Sequence, residues 1–416
     1  MHKQGKRRTV VGVVGVLGLL LCMNSGVSLA QPAGQVDSAG ARLAQAGVQL
    51  AWQISLPLAH SVSIRSYHLM EENIYALASD GKVHCVRADI GRYRWVCQVV
   101  GKTDTLWPPV LYPASWGDEL GGAAVGFTRI HDVVFFSTVG GIKVGTRRTQ
   151  AVNKAAAVMG PNAIYTIELD KCVGKYNIEE RYLDWQIRSN DLLQISPLYL
   201  ADQGQLVFVD EGGRVASADG DDKEEIFDQR VDGRPCGWLA GDAEGIYLVT
   251  DQNLFYHLDR RTGEALGKYY LMAAPDGGPV VKDEHIYQAM APRGVVQINK
   301  ARQAIGWRID QARRFLAEWP RQVVLLNTNH QLVFVDPLSG KVERLTDLGE
   351  PCDGISNTVN DAVFITTRGG TIRCLRPLGS EPLTAADFAT RTTALMETHD
   401  NSLDESSEPI STDGEL

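Results

Sequence analysis

The sequence offers little from which to build a reactive site. Its seven cysteines include no adjacent pair and no Cys-x-x-Cys, so a dithiol centre or a zinc ribbon has no ligands. No G-x-S-x-G or H-E-x-x-H occurs, and no G-x-G-x-x-G leads into a helix. Gly101-Lys102-Thr103 ends like a phosphate-binding loop, yet Val96 stands where such a loop needs its first glycine. The nine histidines are scattered; His84 and His257 fall on strands and His285 just before one, and each reads as a packing or surface residue rather than a ligand. Asp219-Gly-Asp221-Asp222 lacks the remaining ligands of a calcium loop and reads as an acidic hairpin turn. No catalytic, cofactor-binding or metal-ligating residue is named on these grounds.

A positive excess is missing as well. The net charge of −9 argues against a nucleic-acid backbone as partner. That charge is unevenly spread: residues 1–30 carry +4, residues 380–416 carry −8, and the body between them about −5. Long apolar runs are confined to Val10 to Leu21, preceded by Lys3, Lys6, Arg7 and Arg8 and followed by Ser28-Leu29-Ala30. Basic start, short apolar run and small residues together read as a secretory signal over 1–30. The run is too short to span a bilayer, so the mature chain has no expected transmembrane span. Cys22 is a weak match to a lipoprotein cleavage site, because Leu21 replaces the small residue expected before it. Residues 31–48 are rich in Gly, Ala and Gln and read as a linker. The acidic, Ser- and Thr-rich stretch 380–416 reads as a disordered tail.

What is present is repetition. Asn73 to Val96 reads as short strands joined by Gly-marked turns, with Asp80-Gly81 as a two-residue hairpin. Relatives of its opening Ile74-Tyr75 start at Val133, Ile164, Leu206, Ile246, Ile286, Val323 and Val363. From Ile164 onward the steps are 42, 40, 40, 37 and 40 residues. A fixed period of this length with several strands per unit predicts a β-propeller. A second marker keeps the same phase. Arg87, Asn177, Asp219 and Asn299 stand eight residues before Trp95, Trp185, Phe227 and Trp307. Asp259 and Asp336 open the same frame with Thr262-Gly263 and Ser339-Gly340, although Gly267 and Arg344 fill the aromatic position. An Asp or Asn there can bond the turn backbone, Gly supplies positive φ, and the aromatic covers the neighbouring blade.

The fold expected is therefore all-β: an eight-bladed propeller over residues 49–379. The last unit, Cys352 to Arg376, has only three strands, and the orphan strand Leu50 to Leu56 supplies the fourth, with Trp52 at the aromatic position. The second unit is the weak one, since Arg147 to Ala157 makes a poor outer strand, and seven blades with an insertion is the alternative. Before it lies an aromatic, Pro-rich stretch, Leu106 to Gly122. Its Trp107, Tyr112 and Trp116 form either a binding loop or a cover packed on the blade edge. Cys85 and Cys97, on neighbouring strands, are the candidate disulfide; buried free thiols are the other reading.

The units resemble the quinoprotein-type (PQQ-like) propeller repeat, roughly A-x-D-x-x-T-G-x-x-x-W. Cys85 to Trp95 and His257 to Gly267 are its best copies, with Cys85, Arg87, Ile90, His257 and Gly267 departing from the pattern. Within that superfamily an exported chain of this size is similar to the outer-membrane protein assembly factors. That resemblance implies a non-catalytic scaffold in the periplasm or beyond, associated with the outer membrane and binding envelope proteins. The dehydrogenase branch holds pyrroloquinoline quinone beside an adjacent Cys-Cys pair that this chain lacks, so no cofactor is expected. The alternatives kept are a quinone-dependent oxidoreductase or a binder of sugars or other small ligands in the central funnel, and an extracellular adhesive propeller with an acidic contact tail.

Overall fold

The computed structural model describes residues 38–179 and 182–389. The stretch read as a secretory signal, residues 31–37 and residues 390–416 lie outside the described residues, so the expectations placed on them do too.

Eight antiparallel sheets follow one another along the chain, seven of four strands and the sixth of five because its inner strand is split in two, which decides between seven blades and eight. Blades 1 to 8 span residues 64–98, 110–148, 158–188, 198–230, 235–270, 274–309, 312–347 and 353–377, the last taking its outer strand from the N-terminal side. First strands of neighbouring blades touch, so they form the innermost ring. The second strands are the apolar runs picked out by the repeat. Asn73–Ala78, Gln205–Val209, Ile246–Thr250 and Val363–Thr366 are buried along their whole length. A strand covered on both faces needs no polar alternation, which is why these segments read as continuous hydrophobic runs. No helix among the described residues is long and apolar enough to cross a membrane.

Neighbouring blades meet through the aromatic of the repeat. The Trp95 indole donates from Nε1 to Thr138 O at 3.0 Å, and a Cβ on Gly141 would lie 2.5 Å from its ring. Trp52 makes the same bond to Ala88 O over Gly91, Trp185 to Asp221 O, and Trp307 to Pro337 O. Phe227 lies against Gly263. The acids of the frame act as expected: Asp259 Oδ1 accepts from the amides of Arg261 and Thr262 at 2.9 and 2.8 Å. Three interfaces lack the aromatic, and a cation stands at each. Arg147, 6% exposed, donates to Ile178 O of blade 3 at 2.5 Å. Lys300 of blade 6 pairs with Asp242 of blade 5 at 2.8 Å. Arg344 of blade 7 lies over the Phe334 ring, 3.8 Å from its centroid, with Nη1 3.7 Å from where a Cβ on Gly47 would be.

The closing strand behaves as its sequence suggested. Val48–Ser55 pairs antiparallel with Thr371–Pro377, placing Trp52 opposite Cys374 in the same register that puts Trp95 opposite Cys85. Three features differ from expectation. In blade 2 the second strand is Ala124–Arg129, and Val133 belongs to the third, Asp132–Ser137. Lys143–Arg148 is the outer strand, ahead of the span expected to form it. The phase slipped because Gly145 occupies the aromatic position, so the marker that fixes register elsewhere is absent. Within the stretch read as linker, Ser38–Gln45 is a helix, α1. Its Leu43, with Ala46 just beyond its end, joins Leu332, Phe334, Leu348, Val363 and Leu375 in one apolar cluster. At the other end, Leu383 and Phe388, in the stretch read as tail, are buried against blades 8 and 1.

Candidate functional site

Between blades 1 and 2 the connecting loops enclose a groove of about 940 Å³. The Asp80-Gly81 turn forms one bank. Its Gly81 carbonyl accepts from the amides of Val99 and Val100 at 3.0 and 3.2 Å, and Gln98 Nε2 donates to Asp80 O at 2.9 Å. These bonds pin the connector that leaves the outer strand of blade 1. A Cβ on Gly81 would lie 2.9 Å from the Val100 carbonyl carbon, so the turn admits only glycine. Further along, Asp104 accepts from the Gly101 amide at 2.9 Å and folds the connector back.

The opposite bank is the turn of blade 2 from Arg129 to Asp132. Arg129 makes a two-pronged pair with Asp132, both bonds 2.5 Å, and donates a third to Val99 O at 3.3 Å. That hydrogen-bonded pairing raises the Arg129 pKa above its ordinary value. Lys82 lies 3.4 Å from Asp80. Lys102 and Asp104 are exposed on the connector, and Lys102 has no ion pair among the described residues. Val62, Val99, Val100 and Ile130 supply the apolar part of the lining. Paired charges over an apolar floor suit recognition of a polypeptide, where direction comes from hydrogen bonds and area from packing. Among the described residues no cluster of three His, Cys, Asp or Glu could hold a metal ion.

The residues singled out from sequence are only partly drawn to this groove. Trp107 follows the connector and is half-buried. Tyr112 lies on Val110–Tyr112, the first strand of blade 2, fully buried with its hydroxyl donating to Glu119 at 2.6 Å. Trp116 packs edge-on against Tyr112 and against Tyr199 of blade 4, with centroids 5.8 and 6.3 Å apart. Both side chains thus pack on blade edges. Cys85 and Cys97 are free thiols. Cys85 faces Trp95, and Cys97 faces Val83, so the two are diagonal neighbours. Diagonal side chains in a sheet stand about 7 Å apart at Cβ, whereas a disulfide needs about 4 Å. Burial pushes both thiols up to about 12. Sequence reasoning passed over Lys102, seen only as a failed phosphate loop, and Arg129, which no motif marks.

This architecture is that of an eight-bladed β-propeller, and its repeats are similar to those of the PQQ-like proteins. It resembles BamB: residues 173–351, from blade 3 into the loop after blade 7, match the family model described as outer membrane protein assembly factor BamB. Among solved structures, BamB from Moraxella catarrhalis superposes with a TM-score of 0.59 at 13% identity, covering 80% of this chain and 99% of that one. The computationally designed Ika8 protein does so at 0.58 and 13% identity, covering 77% and 98%. At this identity both likenesses are of fold. None of the curated proteins matches. The groove between blades 1 and 2 lies outside the matched stretch.

Proposed function

We propose that this chain is a non-catalytic scaffold of the cell envelope that binds other envelope proteins, and that its work belongs to outer-membrane protein assembly. The observation that carries the reading is the match of residues 173–351 to the BamB family model, on a closed ring of eight blades. The rigid ring holds its loops in fixed positions, and the groove between blades 1 and 2 presents Lys102, Asp104 and Ile130 to a partner. The reading places the chain after export in the periplasm, at the outer membrane.

The test is affinity isolation of the tagged protein from gently crosslinked, detergent-solubilised envelopes, followed by mass spectrometry. Recovery of a barrel-assembly protein, and its loss with the Lys102→Glu/Ile130→Asp variant, is the expected result. Recovery of no protein above the untagged control would overturn the scaffold role. Undiminished recovery with the variant would move the contact to another face.

A further inference from the structure

The inner strands of blades 5 and 6 break the regularity of the ring at one place. In blade 5 the register jumps between Cys236, opposite Val249, and Ala240, opposite Tyr247. Three inner residues, Gly237, Trp238 and Leu239, thus face the single Leu248 and bulge out. In blade 6 the ladder is interrupted between Pro275, opposite Met290, and Val280, opposite Tyr287, by Asp276-Gly277-Gly278-Pro279. The two bulges interlock. A Cβ on Gly237 would lie 2.5 Å from Gly278 N, and one on Gly277 would lie 2.7 Å from the Trp238 ring. Trp238 is further fixed by its Nε1, which donates to Pro279 O at 3.0 Å. It is nevertheless 48% exposed. A tryptophan clamped on backbone at one side and left open at the other is a preformed aromatic platform.

That platform walls a pocket of about 150 Å³. Its floor is the stacked pair Tyr287 and Phe315, centroids 4.2 Å apart, both buried. Donors and acceptors share its rim. Arg313 and Arg314 are steadied by Asp353 at 2.8 and 3.5 Å, which leaves further guanidinium N–H groups to give. Asp276 is exposed and makes no ion pair among the described residues, so its carboxylate is open to accept. Ser356 donates to Phe315 O at 2.8 Å and keeps its lone pairs.

We propose that this pocket binds one uncharged pyranose ring of a saccharide, stacked on Trp238. Each ring hydroxyl is both donor and acceptor, which suits guanidinium and carboxylate on one rim. The charges of Arg313, Arg314, Asp353 and Asp276 cancel, so neither an anion nor a cation gains net attraction. Pockets for drug-sized ligands run to about 300–1,000 Å³, so this one takes a single ring and excludes a large multi-ring cofactor. The site is independent of the scaffold reading, because it is built from blades 5 to 8, away from the groove of blades 1 and 2.

Saturation-transfer NMR on the full chain tests it, with methyl glucoside and N-acetylglucosamine as neutral probes and glucuronate and glucosamine as charged ones. Transfer to a neutral probe is expected, with affinity falling about tenfold in Trp238→Ala and surviving in Trp238→Phe, the size of one aromatic contact. The Phe variant guards against a loss that merely reflects unfolding. No transfer to either neutral probe, equal binding by Trp238→Ala, or stronger binding of a charged probe would each overturn the assignment. Recovery of envelope partners by Trp238→Ala is expected to stay unchanged, which separates this site from the scaffold role.

Discussion

At the scale of single residues, the ring depends on places where a side chain leaves no room. Gly141 has φ +62°, and any Cβ there would enter the Trp95 ring. Gly140, its neighbour, has only Ile142 near its Cβ position, at 3.7 Å, and is not left-handed. Gly141→Ala should therefore cost about 2 kcal/mol or more, through strain and a displaced indole. Gly140→Ala should fall within about 0.5 kcal/mol of the parent. Urea unfolding of the two variants checks this, and equal midpoints would mean that Trp95 adapts. His68 makes a second residue-scale case. On the inner strand of blade 1, burial and then the charge of Arg314 hold its pKa down at about 4, with Nε2 2.9 Å from Ser66 Oγ. The unfolded imidazole titrates near 6.5, so between those values the unfolded chain binds the extra proton and folding loses stability as pH falls. The loss is on the order of 3 kcal/mol and levels off as pH falls below about 4. His68→Gln should flatten that part of the pH dependence; urea midpoints at about pH 7.5 and 4.5 that drop equally in both proteins would show that other groups set it.

At the scale of elements, legibility followed the markers. Second strands were readable because they are continuous apolar runs, and turns because Asp259, Asp336 and their kin bond the backbone. Blade 2 was misphased where Gly145 removed the aromatic. The bulge carrying Trp238 was invisible, since an interrupted inner strand leaves no period to detect. The helix α1 was missed for a related reason: its Ala- and Gly-rich composition reads as linker, and only the placement of Leu43, with Ala46 just after the helix, gives it an apolar contact. That contact has a structural duty. Where blade 7 offers Arg344 in place of an aromatic, α1 lies over Leu332, Phe334 and Leu348. Leu43→Ala should thus cost about 2–3 kcal/mol. Hydrogen exchange should locate the loss in blades 7 and 8, with blades 3 to 5 unchanged. Uniform loss of protection around the ring would instead mean that α1 contributes nothing local.

At the scale of the whole ring, the seam in blade 8 is where two distant parts of the chain complete one sheet. The seam imitates a turn. Leu378 N donates to Gly47 O at 2.8 Å, and Gln49 bonds Ser380 O and Gly379 N, so the two segments are held as the hairpins hold other blades. Without Val48–Ser55, the strand Thr371–Pro377 would be an unpaired edge, open to another chain. No covalent link crosses this seam, which makes release of the closing strand the natural first step of unfolding. Gln53 and Arg373 face each other there, with Arg373 Nε donating to Gln53 Oε1 at 2.8 Å. A Gln53→Cys/Arg373→Cys pair would close a loop of some three hundred residues, worth up to roughly 5 kcal/mol in chain entropy. Oxidised protein should then unfold at markedly higher urea than the same variant reduced, with the reduced form within about 1 kcal/mol of the parent. Coincident unfolding of the two forms would show that the ring gives way elsewhere first; the cation-bearing interfaces between blades 2 and 3 and between blades 5 and 6 would be the next to probe.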